Sequence, residues 1–163
     1  MQRKGDAAPL SRASPAPLFD ASCELCAGPG GEELWRDAQC RVVLVDDADY
    51  PGFCRVIWNT HIREMTDLPA ASRVHCMRVV FAVETALRKV VDPHKINLAS
   101  LGNVTPHVHW HVIPRCARDA HFPQPVWGER QRNSAVEQTP RLRERLSTEL
   151  LNLMEKNDLT GTP

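Results

Sequence analysis

The chain has 163 residues, of which 42% are hydrophobic, and its 20 basic and 20 acidic side chains leave a formal net charge of +0. That length suits one compact domain with tails, and the apolar fraction suffices for a core. Balanced charge gives no overall pull towards nucleic acid or an anionic membrane, so neither is expected as a partner, and no apolar run approaches the ~20 residues that span a bilayer.

Residues 1–20 read as a disordered tail, because Pro, Ala and charge leave little to pack. Met1 to Phe19 carries Arg3, Lys4 and Arg12 but no apolar stretch of signal-peptide length, which points to an intracellular, cytoplasmic protein. Residues 21–130 are read as the main domain and 131–163 as a C-terminal helix and tail. Cys23 to Gly31 is a turn-rich knuckle, and a short helix or turn is expected at Glu32 to Asp37. Arg41 to Val45 and Phe53 to Trp58 read as a mostly buried hairpin joined by a polar connection. Cys40, Cys54 and Cys76 lie in or beside apolar segments, where reduced cysteine is ordinary core filling.

Asp67 is expected to cap a helix starting around Pro69 and running to about Val90. Val80, Val83, Leu87 and Val90 form its apolar stripe, with Met77 and Phe81 beside it. Asp92 and Pro93 end it. Lys95 to Ser100 is the next strand, Leu101 to Pro106 a loop, and His107 to Pro114 a further strand. Gln124 to Thr139 is irregular. A last helix begins at Thr139-Pro140, with Leu142, Leu146, Leu150 and Leu153 along one edge. The order of elements implies an α+β fold, an antiparallel sheet packed on one long helix with an added C-terminal helix.

The strand at 107–114 holds the most informative pattern, His107-Val108-His109-Trp110-His111. A strand repeats every two residues, so three imidazoles are expected on one face and Val108, Trp110 and Val112 on the other. Imidazoles facing open space fill a core badly, but they can bind phosphate, attack phosphorus or hold a metal.

The stretch Leu101-Gly102-Asn103-Val104-Thr105-Pro106-His107-Val108-His109-Trp110-His111-Val112-Ile113-Pro114-Arg115 resembles the signature of the histidine triad superfamily, nucleotidyl hydrolases and transferases acting on a nucleoside-linked phosphate. His61-Ile62-Arg63-Glu64-Met65-Thr66-Asp67-Leu68 resembles the family upstream, where a histidine closes the hairpin and Asp-Leu opens the helix. The resemblance implies that His109 attacks the α-phosphorus to form a covalent phosphoramidate, and that His111 contacts the phosphate or the departing group. It also implies a phosphate contact from Asn97, against which stands an ordinary sheet or loop hydrogen bond, an amide from Asn103 in the place of the family's glutamine, and a ribose contact from Asp46, with Asp47 competing for that role. Arg115 is read either as holding distal phosphates or as an ordinary surface arginine. Where many members carry Gly-Gln-Ser, this chain has Gly102-Asn103-Val104, so Val104 offers only its backbone N–H and Thr105 is the nearest hydroxyl.

Cys23 and Cys26 have Cys-x-x-Cys spacing, which fits a zinc knuckle but also a redox pair. In zinc-binding branches of the family the hairpin-closing and first triad histidines complete the site; by resemblance these are His61 and His107. The implied cofactor is structural Zn2+.

The resulting expectation is a hydrolase or nucleotidyl transferase cleaving a dinucleoside polyphosphate, nucleoside phosphoramidate or nucleotide sugar. The alternative is a zinc-stabilised nucleotide-binding protein with little catalysis that acts through protein partners. By resemblance it pairs as a homodimer.

Overall fold

The computed structural model describes residues 18–137 and 139–159, so the reading of residues 1–17 as a disordered tail lies outside it. In chain order the elements are helix α1 (Glu24–Ala27), strands β1 (Glu32–Arg36), β2 (Cys40–Leu44) and β3 (Cys54–Trp58), helix α2 (Ala70–Val91), strands β4 (Lys95–Ala99) and β5 (His109–Arg115), and helix α3 (Leu142–Lys156). The strands form one sheet in the order β1-β2-β3-β5-β4, with every pairing antiparallel. This is the expected α+β architecture of one sheet, a long helix and a C-terminal helix. Among the described residues no helix is long and apolar enough to cross a membrane.

One face of the sheet makes the main core. Val42, Cys54, Val56 and Val112 pack there against Val80, Val83, Leu87 and Val90 of α2 and against Leu146, Leu150 and Met154 of α3. The α2 stripe is therefore the expected one, apart from Phe81, which is 52% exposed. Phe81 follows Val80 by ~100° of helical rotation, enough to carry it off the buried face. On α3 the buried line has a spacing of four, so Met154 occupies it and Leu153 sits at its margin.

Several local expectations need correction. Glu32 to Arg36 is a strand, not a helix or turn: Leu34 and Trp35 are buried in the main core, and a bulge between Glu33 and Trp35 allows both to reach it. Asp67 lies in a 3-10 turn, Met65–Asp67, and does not cap α2; Pro69 precedes the helix with no side-chain cap. Pro140 stays outside α3, whose start at Leu142 follows Arg141 in the left-handed region (φ 53°). β5 begins at His109, so His107 lies in the loop entering the strand. Its N–H donates to the Thr105 carbonyl and that of Val108 to the Ile62 carbonyl.

Cys40, Cys54 and Cys76 are fully buried free thiols. Burial pushes the Cys54 thiol up to about 12 and Cys76 up to about 11, which keeps both protonated and inert. On α2, His75 is bonded at 2.6 Å to Asp37, whose other carboxylate oxygen caps the backbone N–H groups of Gln39 and Cys40. This contact joins α2 to the β1–β2 turn.

Candidate active site

The second face of the sheet carries polar groups that the first could not tolerate. Antiparallel partners project to the same side, and the register sets Arg55 opposite His111, Ile57 opposite His109, and Ala99 opposite His111. The loop before β5 and Trp127 from the segment after it close the sides of a cleft of about 480 Å³, lined by His109, His111, Arg55, Asn103 and Thr105 among others.

His109 is 6% exposed, and its Nδ1 lies 2.6 Å from the carbonyl oxygen of His107. A carbonyl only accepts, so Nδ1 carries the proton and Nε2 keeps its lone pair. Burial, opposed by that hydrogen bond, holds His109 below the ordinary histidine range, with the Arg55 guanidinium acting in the same direction. The His111 ring lies 4.9 Å from that of His109. Burial, with the His109 and Arg55 charges adding to it, brings His111 down to about 4. Both imidazoles are therefore neutral near pH 7, the form a nucleophile needs.

The low His111 value predicts a pH effect on stability. An unfolded histidine titrates near ~6.5, so unfolding takes up a proton between that pH and about 4. Stability from the half-buried neutral ring is complete above ~6.5 and is lost as pH falls through the folded value. Urea midpoints should show His111→Gln losing less stability than the wild type between about pH 7 and about pH 4.5. Equal losses in the two proteins would contradict a half-buried ring held neutral.

Behind His109 lies a second group of side chains. Donor atoms of Cys23, Cys26, His61 and His107 all fall within 4.8 Å of one another. Cys26 Sγ is 3.3 Å from His61 Nδ1 and 3.5 Å from His107 Nδ1, and Cys23 Sγ is 3.5 Å from His107 Nδ1. A tetrahedral zinc with ordinary Zn–S and Zn–N bonds has S···N edges of about 3.5 Å, so the spacing fits. The tautomer fits as well: His107 Nε2 donates to the Trp58 carbonyl at 2.7 Å, which leaves the Nδ1 lone pair directed at the sulfurs. Burial also lowers the His107 pKa, favouring the neutral ligand form. Without a cation, burial pushes the Cys26 thiol up, and a metal ion would supply the charge that thiolates require.

The knuckle's approach to the sheet depends on glycine. A Cβ on Gly30, which has φ 80°, would meet Ile57 Cδ1 at 2.7 Å. Arg41 anchors the same turn from β2, donating to the carbonyls of Leu25, Gly28 and Pro29.

Of the residues expected from the sequence, His109, His111, Asn103, Val104 and Thr105 line one cleft, and Cys23, Cys26, His61 and His107 form one cluster. Thr105 directs its hydroxyl at the Glu24 carboxylate (2.8 Å) and Val104 is 95% exposed. The other three lie elsewhere. Asp46 is exposed and lines a separate hollow with Asp47. Arg115 is neither a surface residue nor in the cleft: it is buried and paired with Asp119 at 2.7 Å, and it donates to Asn97 Oδ1 and the Gln124 carbonyl. Asp119 also accepts from the N–H groups of Cys116, His121 and Phe122, so the pair pins the chain leaving β5. Asn97 Oδ1 is thereby taken up by Arg115, and the residue lines a hollow other than the histidine cleft.

Arg55 is the cleft residue that sequence reasoning missed. The available signal was a lone charge inside the otherwise apolar run Phe53-Cys54-Arg55-Val56-Ile57-Trp58, one strand away from the histidines.

The fold agrees with what is found among known proteins. The HIT domain family matches residues 32–118, more than half of the chain, and the chain belongs to that family. Among solved structures, a histidine triad protein of Marinobacter aquaeolei VT8 is 26% identical with a TM-score of 0.64, covering 85% of this chain and 98% of that one. A histidine triad protein of Bradyrhizobium japonicum is 24% identical with a TM-score of 0.65, over 83% of this chain and 98% of that one. A zinc-bound histidine triad family protein of Mycobacterium smegmatis shares the fold at 20% identity and TM-score 0.59, over 83% and 97% of the two chains. None of the curated proteins compared with the chain matches it.

Proposed function

We propose that this HIT-domain protein is a nucleotide hydrolase or nucleotidyl transferase that works through a nucleotidyl-histidine at His109. The observation that carries the reading is the fixed tautomer of His109, whose Nδ1–H is held by the His107 carbonyl at 2.6 Å while the ring borders an open cleft. Nε2 attacks the α-phosphorus, forming an N–P bond as the bond to the leaving group breaks. The leaving group takes the bonding electrons, and an amine leaving group also takes a proton from solvent water. Water then attacks the same phosphorus and gives up a proton to solvent, the N–P electrons return to Nε2, and a nucleoside monophosphate departs. Leu101, Val104 and Trp127, exposed apolar side chains at the mouth of the cleft, suit a flat base.

Cys23, Cys26, His61 and His107 would hold Zn2+ in a closed Cys2His2 site, where the ion supplies structural cross-linking and charge for the thiolates. His107 would then position His109 through its own carbonyl. A homodimer along the open edge of β4 and the exposed Val74 and Phe81 of α2 belongs to the same reading, since an unpaired edge strand needs cover.

The test is to incubate the protein with adenosine and guanosine polyphosphates, phosphoramidates and nucleotide sugars, quench early, and weigh the peptide containing His109. The expected result is nucleoside monophosphate product together with one nucleotidyl mass on that peptide. Saturable nucleotide binding with neither product nor adduct would favour the non-catalytic alternative. That second reading has one observation in its favour: Thr105 donates its hydroxyl to Glu24, and no hydroxyl stands at Val104 to assist a leaving group.

A further inference from the structure

Three arginines rise from the cleft face of the sheet, and their surroundings differ. Arg41 satisfies its guanidinium on three backbone carbonyls, and Arg115 on a carboxylate, an amide oxygen and a carbonyl. Arg55, on β3 directly opposite His111, has a single 3.3 Å bond from Nη1 to the Gly30 carbonyl. Its guanidinium also sits over the Phe53 ring, 5.6 Å from the centroid. Among the described residues no carboxylate lies within ion-pair distance of it.

Three buried side-chain polar atoms in the described residues lack a hydrogen-bond partner, and two of them are Arg55 Nε and His111 Nε2. Both belong to residues lining the same cleft. A half-buried cation without an anion costs free energy, as does an unpaired buried donor, and natural folds retain such groups where a ligand completes them. Arg55 Nε–H, and His111 Nε2 in its Nε2–H tautomer, come from paired positions on adjacent strands and would offer two donors to two oxygens of a tetrahedral anion.

We infer that Arg55 is the anion-binding residue of this cleft, gripping with His111 the phosphoryl oxygens of the group presented to His109. The inference rests on the proposed nucleotidyl chemistry and adds the residue that makes the cleft selective for a phosphate over an uncharged nucleoside. Arg55 forms no covalent bond and moves no proton. Its charge and Nε–H act on oxygens that gain charge as the phosphorus becomes five-coordinate, so it contributes to both binding and rate.

The experiment compares nucleoside monophosphate with the unphosphorylated nucleoside as calorimetric ligands, for adenosine and guanosine alike. Wild-type protein should bind the monophosphates in preference to the nucleosides. Arg55→Gln should bind monophosphates about tenfold to hundredfold more weakly and nucleosides as before, the scale of a charge-assisted hydrogen bond. Arg55→Lys keeps the charge but loses the Nε–H, and should fall between the two. It also serves as the readout should Arg55→Gln fail to fold. A merely structural role for Arg55 would weaken both ligands equally in either variant, and that result overturns the inference. So does undiminished monophosphate binding in folded Arg55→Gln. In those cases continued adduct formation at His109 shows that the nucleotidyl reading survives. A wild type that binds neither ligand and forms no adduct defeats both.

Discussion

Replacement of His109 should abolish turnover while the sheet stays folded. Two variants separate chemistry from structure. His109→Ala removes the nucleophile but also leaves the His107 carbonyl without its donor, a loss of about 1–3 kcal/mol in a buried setting. His109→Asn places an amide N–H near the position of Nδ1, so it can keep that bond, yet it has nothing in place of Nε2. If His109 forms the covalent intermediate, both variants should lose about 10³-fold or more in kcat, since removing a nucleophile costs the whole covalent route. The asparagine variant should also keep near wild-type thermal stability. Nucleoside monophosphate binding should persist in it, because Arg55 and His111 are untouched. Retained turnover in His109→Asn, measured with whichever substrate the wild type cleaves, would reject the mechanism.

How much of this was legible in the sequence depends on the range of the interactions involved. The stripe Val80, Val83, Leu87 and Val90 is a local signal and appears as read, on the face of α2 that meets the sheet. The hairpin β2–β3 is local too, and its register pairs Val42 with Val56. β1 was hidden because Glu32-Glu33-Leu34-Trp35-Arg36 contains good helix formers, and its strand identity comes from pairing with β2 and from the core that receives Leu34 and Trp35. Period-two alternation placed three imidazoles on one strand face, but the ladder starts at His109 and the His107 ring turns towards Cys23 and Cys26. Arg55 and Arg115 show the same limit from opposite sides. Which arginine faces the imidazoles is decided by inter-strand register, and which is neutralised is decided by Asp119, a loop residue with no periodic signature.

Removing metal from the knuckle should be the second large effect, and its consequences follow from connectivity. If Zn2+ occupies the Cys2His2 cluster, it joins Cys23 before α1 and Cys26 within it to the hairpin end at His61 and to the chain entering β5 at His107. His107 in turn holds Trp58 through Nε2 and His109 through its carbonyl. Protein prepared without a histidine tag should contain about one zinc per chain, and Cys26→Ser should contain almost none, since one of four ligands is lost. The unfolding temperature of that variant should drop by about 10 °C, as expected for a loss of several kcal/mol in a domain of this size. The sheet and its helices retain their own apolar core and should stay folded at 25 °C, unlike a small domain that depends on its metal altogether. Activity should fall by a smaller factor than in His109→Asn, with the nucleophile present but less well held. Chelation of the wild type under reducing conditions should reproduce both changes, and added zinc should reverse them. Wild-type protein with reduced thiols and less than about 0.2 zinc per chain would remove the metal from this account. An unfolding temperature unchanged by Cys26→Ser would show that the knuckle contributes nothing to holding the imidazoles.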